Sequence, residues 1–221
     1  MATFDIAYMH PGTVRTEFAS SLVDTAIKHP DTLFMPMSGK NLVRNKNIAT
    51  KWWLASRKKD WLFWVDSDIE WTQEGLDQML DTADEKGPGI ISGLGFHWSG
   101  VTPYLGFFNG RNSKGELAIE AGVHHDIPRD KPFKIVAAGG GCMLIHRDVL
   151  WAVEGRPHNE GYPWFYSATN AAGGPTGYAT LLSEGAAAEG YDIWVEPRFE
   201  FKHYEPVAIT RELYDRWWGK E

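Results

Sequence analysis

The chain has 221 residues, 43% of them hydrophobic and 23% charged, with a formal net charge of −7. That is the composition of a globular domain with a sizeable core, and it excludes a disordered chain; the negative balance disfavours any protein that coats nucleic acid through its phosphates. Cys142 is the single cysteine, so neither an internal disulfide nor a thiolate metal cluster can form, which suits a reducing compartment. The first 30 residues lack a basic segment followed by an apolar one, and no run approaches the length of a membrane span, so the expectation is a cytoplasmic protein with no membrane partner.

In chain order, Thr3–Met9 reads as a strand, His10-Pro11-Gly12 as a break, and Thr13 to Lys28 as a helix with Val14, Phe18, Leu22 and Ile27 near one face. Thr32–Met37 is a second strand. Leu42–Arg57 is a helix carrying Trp52 and Trp53. Trp61–Val65 is a near-continuous apolar run, the pattern of a strand buried on both faces. Thr72 caps a helix reaching Lys86, with Leu76, Met79 and Leu80 inward, and Gly89–Gly93 is the next buried strand. This alternation predicts an α/β fold with a parallel sheet, in which ligands bind beyond the carboxyl ends of the strands. His10, Ser38 and Asp66 stand at those ends and are expected to share a cleft.

Residues 94–135 hold aromatics, glycines and turns, as expected of antiparallel hairpins. Ala137–Ile145 places three glycines before an apolar strand, and His146–Val153 reads as a short helix. Residues 155–176 form a long irregular stretch rich in small residues, a candidate lid over a ligand. A helix from Thr176 to Glu189 stops at Gly190; Tyr191–Val195 and Phe199–His203 read as strands, and Thr210–Trp218 as a closing helix. The expectation is one domain over residues 1–221 with two lobes, 1–93 and 94–221. The chain holds 11 Trp, whose flat faces suit sugar rings; two or three are expected to touch a sugar or nucleotide, the rest being core or surface.

The sharpest pattern is LFWVDSDIEW, residues 62–71. Asp66 and Asp68 stand at the mouth of a buried strand, where paired carboxylates are costly unless neutralised. Mn²⁺ or Mg²⁺, completed by water and substrate phosphate, would neutralise them. Two chemistries use such a pair: aspartate-nucleophile phosphatases, whose motif lies nearer the N-terminus and lacks a residue like Glu70, and sugar transfer from a nucleotide-sugar. A sugar nucleotidyltransferase would open with a Gly-rich basic loop, and MHPGTVRTEF holds one Gly and one Arg.

The stretches LVRNKNIATKWWLAS, DWLFWVDSDIEW, AAGGGCMLIHRDVL and EGYDIWVEPRFEFKH, in this order and spacing, resemble GT-A-fold glycosyltransferases, in particular the compact phage and bacterial enzymes related to family 2. The resemblance spans roughly residues 3–205. It implies a Rossmann-like, mostly parallel sheet flanked by helices with a smaller antiparallel acceptor-side lobe. It also implies a nucleotide-sugar donor, UDP-sugar by preference, and a protein or glycan acceptor rather than a modified DNA base. If the gene is phage-encoded, the host cytoplasm is the compartment.

Residue by residue, the resemblance makes Asp66 and Asp68 the Asp-x-Asp that binds metal and diphosphate, and His203 a further metal ligand. It sets Arg44, Asn45, His10 and Pro11 near the nucleotide. Gly139, Gly140 and Gly141 become a turn that the sugars approach closely, and Trp164 and Phe165 an acceptor-side aromatic segment, with core packing as the alternative for these two. One departure concerns the general base of inverting members: the usual spacing lands on Tyr178-Ala179. Glu184 lies six residues further on and is the first substitute, with Asp126, Glu160 and Asp192 as others. A retaining reaction, which needs no such base, is the preferred alternative. Lys40 could assist at the diphosphate, and Arg57-Lys58-Lys59 could meet DNA locally, though a solvated helix end explains that cluster as well. Loss of the acid pair also leaves open an inactive, Trp-rich sugar-binding protein on the same fold.

Overall fold

The computed structural model describes residues 2–39, 41–98, 103–119, 127–156, 161–169, 175–204 and 208–218. The N-terminal half runs β1 (Phe4–His10), α1 (Thr16–Lys28), β2 (Phe34–Ser38), α2 (Leu42–Ser56), β3 (Trp61–Asp66), β4 (Ile69–Glu70), α3 (Gln73–Lys86) and β5 (Gly89–Leu94). Short strands follow: β6 (Phe96–Trp98), β7 (Pro103–Leu105), β8 (Phe107–Phe108), β9 (Gly110–Arg111), β10 (Leu117–Ala118), β11 (Phe133–Ile135) and β12 (Ala137–Ala138). The chain closes through β13 (Cys142–His146), α4 (Arg147–Glu154), β14 (Ala168–Thr169), β15 (Pro175–Thr176), α5 (Tyr178–Ala188), β16 (Asp192–Glu200), β17 (Lys202–Tyr204), β18 (Ala208–Ile209) and α6 (Arg211–Trp217).

Local signals set these boundaries. The Asn41 side chain accepts from the Arg44 N–H at the start of α2, and Thr72 accepts from the Gly75 N–H at the start of α3. The seven-stranded central sheet has the order β11-β16-β5-β13-β3-β1-β2. Its β2/β1, β1/β3 and β5/β16 pairs are parallel, while β13 runs antiparallel to both β3 and β5 and β11 antiparallel to β16. The fold is therefore α/β with a mostly parallel sheet, flanked by helices and accompanied by small antiparallel sheets.

Burial on both faces explains the continuous apolar run of β3. Leu62 and Trp64 pack with Trp53, Leu54 and Leu150 on one face; Trp61, Phe63 and Val65 pack with Phe18, Leu76 and Met79 on the other. Each such side chain, fully buried, stabilises the fold by roughly 1.5–3 kcal/mol. Three sequence expectations change. Helix α1 turns Phe18, Ser21 and Thr25 inward, and Val14 and Ile27 are exposed. The helix starts after Val14, and its hydroxyls face a polar seam: Ser21 Oγ donates to the Trp71 carbonyl at 2.8 Å and Thr25 Oγ1 accepts from Trp71 Nε1 at 3.2 Å. Strand β16 continues through Pro197 to Glu200, because a register shift between Glu196 and Glu200 accommodates the missing N–H. Trp164 and Phe165 are core: both are buried, and both backbone N–H groups donate to Asn47 Oδ1. No helix among the described residues is long and apolar enough to cross a membrane.

Candidate active site

The parallel register aligns the carboxyl ends of three strands. His10 pairs with Ser38, and Met9 with Asp66, so β1, β2 and β3 all end at one edge. Beyond Asp66 the chain turns and enters β4, which pairs antiparallel with β17: Ile69 opposite His203, Glu70 opposite Lys202. The Tyr204 N–H donates to the Asp68 carbonyl at 2.9 Å. Glu70 fixes this junction, accepting from Lys202 Nζ at 2.8 Å and from the Tyr204 hydroxyl. These contacts carry His203, 135 residues away in sequence, to Asp68: His203 Nε2 lies 3.4 Å from Asp68 Oδ2.

Burial disfavours the Asp68 carboxylate, but the interaction with His203, with help from the charge of Arg15, holds its pKa below the ordinary value. Asp68 Oδ1 is buried and meets no hydrogen-bond donor among the described residues. Arg15 also lies over the Tyr204 ring, 5.2 Å from its centroid. His97 packs edge-on against His203, with ring centroids 4.8 Å apart. Burial, reinforced by the charge of His203, pushes His97 down to about 4, so it is neutral at neutral pH.

Asp66 faces a different neighbour. Lys46 is buried on α2, and its Nζ lies 3.2 Å from Asp66 Oδ1. The ammonium also sits 4.4 Å from the centroid of the Tyr178 ring, 4.8 Å from that of Trp64 and 5.6 Å from that of Phe165, an aromatic box that favours a cation. The Tyr178 hydroxyl donates to Asp66 Oδ2 at 3.4 Å. Burial works against the Lys46 charge, yet Asp66 and Tyr178 outweigh it and raise its pKa. Tyr178 itself is raised, by burial first.

The other sequence-derived residues are spread more widely. His10 Nδ1 accepts from the Gly12 N–H and Pro11 is exposed, both at the β1 end. Asn45 ties α2 to that same edge, donating to the Ser38 carbonyl at 2.9 Å. Arg44 instead lines a groove with Asn47, Lys51, Glu154 and Tyr162. The glycine turn is dictated by backbone packing. A Cβ on Gly139 would meet the Gly106 carbonyl oxygen at 2.7 Å, and Gly140, at φ +108°, would press on Ala179. Gly141 accepts at its carbonyl from the Asp66 N–H at 2.8 Å, which locks the turn to the carboxylate. Glu184 is paired with Arg111 at 2.8 Å in a separate cavity, and Asp192 pairs with Lys134 at 2.7 Å. Asp126, Glu160, Lys40 and residues 157–160 and 170–174 of the expected lid lie outside the described residues. Arg57 grips the buried Asp5 at 2.8 Å. Among the described residues Trp53, Trp61, Trp64, Trp71 and Trp164 are buried core.

Sequence reasoning did not find Lys46, Tyr178, His97, Arg15 or the role of Glu70. The only early signal was Tyr178 standing where an acid was expected. Among the described residues no group of three His, Cys, Asp or Glu gathers as a metal cluster; at this edge Asp68 meets His203, with His97 packed edge-on against the His203 ring. A carboxylate nevertheless suits Mn²⁺ or Mg²⁺, which take few protein ligands when phosphate and water complete the shell, and the imidazole beside it favours Mn²⁺ of the two. The buried, unpartnered Asp68 Oδ1 is an atom such an ion would satisfy.

No protein-family profile matches the chain, and no curated protein matches it. Solved structures do. A197 from STIV superposes with a TM-score of 0.62 at 14% identity, covering 96% of this chain and 92% of that one. GalNAc-T7, in a structure with UDP, GalNAc and Mn²⁺, superposes with a TM-score of 0.58 at 11% identity, over 91% of this chain and 43% of that one. At these identities the likeness is one of fold, and the fold is that of GT-A-like glycosyltransferases.

Proposed function

We propose that this protein is a metal-dependent glycosyltransferase using a nucleotide-sugar donor, with UDP as the preferred nucleotide. The observation that carries the reading is the Asp68–His203 pair, 3.4 Å apart with an unsatisfied carboxylate oxygen, at the carboxyl ends of a parallel sheet. The GT-A-like fold supports it, as does a fold neighbour that holds UDP, GalNAc and Mn²⁺.

Asp68 and His203 would hold Mn²⁺ or Mg²⁺, and a bound cation of this kind offsets the charge that builds on a departing nucleoside diphosphate. The remaining roles belong to the chain. Arg15, over the Tyr204 ring, adds positive charge near Asp68 that could meet a diphosphate. His97 holds the His203 ring through its edge-on contact and stays neutral, so it adds no competing charge. Lys46 and Tyr178 orient Asp66 from behind, leaving it to accept from donor hydroxyls rather than to swing freely. His10, Pro11 and Asn45 border the nucleotide at the β1 and β2 ends. Glu184 is paired with Arg111, which favours a retaining route without a carboxylate base. The same pairing favours one second reading, an inactive nucleotide-sugar-binding protein on this fold.

The test is a thermal-shift panel with UDP, GDP, CDP, ADP and dTDP, each with and without Mn²⁺. A ligand that binds only the folded chain raises the midpoint as RT ln(1 + [L]/Kd). A metal-dependent shift for one nucleotide is expected, and no shift for any would reject the donor reading.

A further inference from the structure

A cavity of about 490 Å³ opens beside the first turns of α5, lined by Phe108, Arg111, Leu117, Thr176, Thr180 and Glu184 among others. It shares its α5 wall with the donor side: Gly177 lines the cavity, and the next residue, Tyr178, reaches Asp66. The opposite wall is a built hairpin. Asn112 Oδ1 accepts from the Lys114 and Glu116 N–H groups, and Gly115 takes φ +79° at the turn. Arg111 clamps hairpin to helix, donating to the Gly115 carbonyl at 2.8 Å and to Glu184 Oε1 at 2.8 Å.

The chemistry of the lining is specific. Phe108, Leu117 and Leu181 give apolar faces; Thr169, Thr176 and Thr180 give hydroxyls that both donate and accept. Among the described lining residues Arg111 is the single cation, already engaged, against the carboxylates of Glu116 and Glu184. A phosphate backbone would meet no free positive charge among them. A sugar has apolar C–H faces and a ring of hydroxyls, and it needs this mixture.

We infer that this cavity is the acceptor subsite, that it takes an uncharged saccharide, and that Arg111 and Glu184 read its hydroxyls. This deepens the transferase reading above and rests on it for the word acceptor. The Arg111–Glu184 pair positions the saccharide against the N-terminal turn of α5, next to the Asp66 corner. Gly177 offers a way to block the site: its φ is −64°, and an added Cβ would meet nothing nearer than Thr180 Oγ1 at 3.7 Å, so a side chain can be placed at the mouth without backbone strain.

Saturation-transfer NMR with methyl glucoside, methyl galactoside and N-acetylglucosamine, with and without UDP and Mn²⁺, tests the inference on the full chain. Wild type is expected to give a saccharide signal. Gly177→Phe should abolish it, and Arg111→Ala should weaken binding about tenfold or more, with thermal midpoints confirming that both variants fold. Thr169→Tyr, at an exposed lining position, replaces Gly177→Phe if that variant does not fold. Absence of any saccharide signal in wild type, its survival in a folded blocked variant, or binding of a short oligothymidylate instead would overturn the inference. The UDP–Mn²⁺ thermal shift on the same wild-type sample is read separately. Its absence beside a saccharide signal rejects the donor reading, whereas its presence without one rejects only the subsite.

Discussion

Lys46 Nζ lies 3.2 Å from Asp66 Oδ1 inside a box of three aromatic rings, so the first carboxylate of the Asp-x-Asp is held by a buried cation of the chain itself. The buried partner is Lys46, and without it the half-buried Asp66 carboxylate faces aromatic rings with no cation to compensate it. Lys46→Met keeps the apolar stem and removes the charge. It should weaken UDP–Mn²⁺ binding by about tenfold to a hundredfold, the worth of a charge-assisted hydrogen bond. Lys46→Arg should not restore it, because the box is fitted to a compact ammonium. Calorimetric titration with UDP in Mn²⁺ checks both; unchanged affinity in Lys46→Met would remove Lys46 from the site.

Asp68 and His203 are predicted to act as a pair. Asp68→Asn and His203→Ala should each weaken Mn²⁺ binding by at least about tenfold, and the double variant should lose little more, since residues sharing one partner are not additive. Electron paramagnetic resonance of free Mn²⁺ during titration measures this directly. Additive losses would mean that the two side chains do not share an ion.

The fold was more legible than the site, and the reason is range in sequence. The apolar run of β3, the Thr72 cap and the helix periods are local signals, and they placed Asp66 and Asp68 at a strand mouth. Contacts such as Tyr178 to Asp66, 112 residues apart, or Tyr204 to Glu70, 134 apart, have no local signature. His203 was suggested by resemblance alone; what delivers it is the β4–β17 pairing, invisible in a two-residue strand. Nothing in the local sequence of α2 announces that Trp64, Phe165 and Tyr178 surround Lys46. Two separate strands, Tyr191–Val195 and Phe199–His203, are expected where one runs from Asp192 through Pro197 to Glu200, and only the register shift reveals how the proline is accommodated.

Stability should depend sharply on Asp5, which is fully buried and accepts from Trp53 Nε1 at 2.9 Å, Arg57 Nε at 2.8 Å and the Leu33 N–H at 2.8 Å. Asp5→Ala strands these donors and should cost about 3 kcal/mol, the lower end for a broken buried pair. Urea unfolding monitored by tryptophan fluorescence reads the change, and a loss below about 1 kcal/mol would contradict the network.

His146 predicts a pH effect on stability. Its Nδ1 caps α4 by accepting from the Asp148 N–H at 3.2 Å, which requires the neutral ring. Burial, aided by the charge of Arg147, holds its pKa below the ordinary 6.5 against the opposing charges of Asp148 and Asp60. A depressed folded pKa contributes stability above the unfolded value and loses it as pH falls through the folded one. The thermal midpoint should therefore drop on going from neutral pH to below 6.5, and less so in His146→Asn, which keeps a capping acceptor that does not titrate. Equal acid sensitivity in both proteins would assign the effect elsewhere.

The most direct measurement is release of nucleoside diphosphate from UDP-sugars by the purified chain, in Mn²⁺ and in EDTA, beside Asp68→Ala. Release that needs Mn²⁺, is silent in EDTA and disappears in a folded Asp68→Ala is the predicted result. Undiminished release by Asp68→Ala in EDTA, or none by wild type with any UDP-sugar in Mn²⁺ while UDP still binds, would contradict a metal-dependent transferase, and the latter outcome would leave the inactive binding protein.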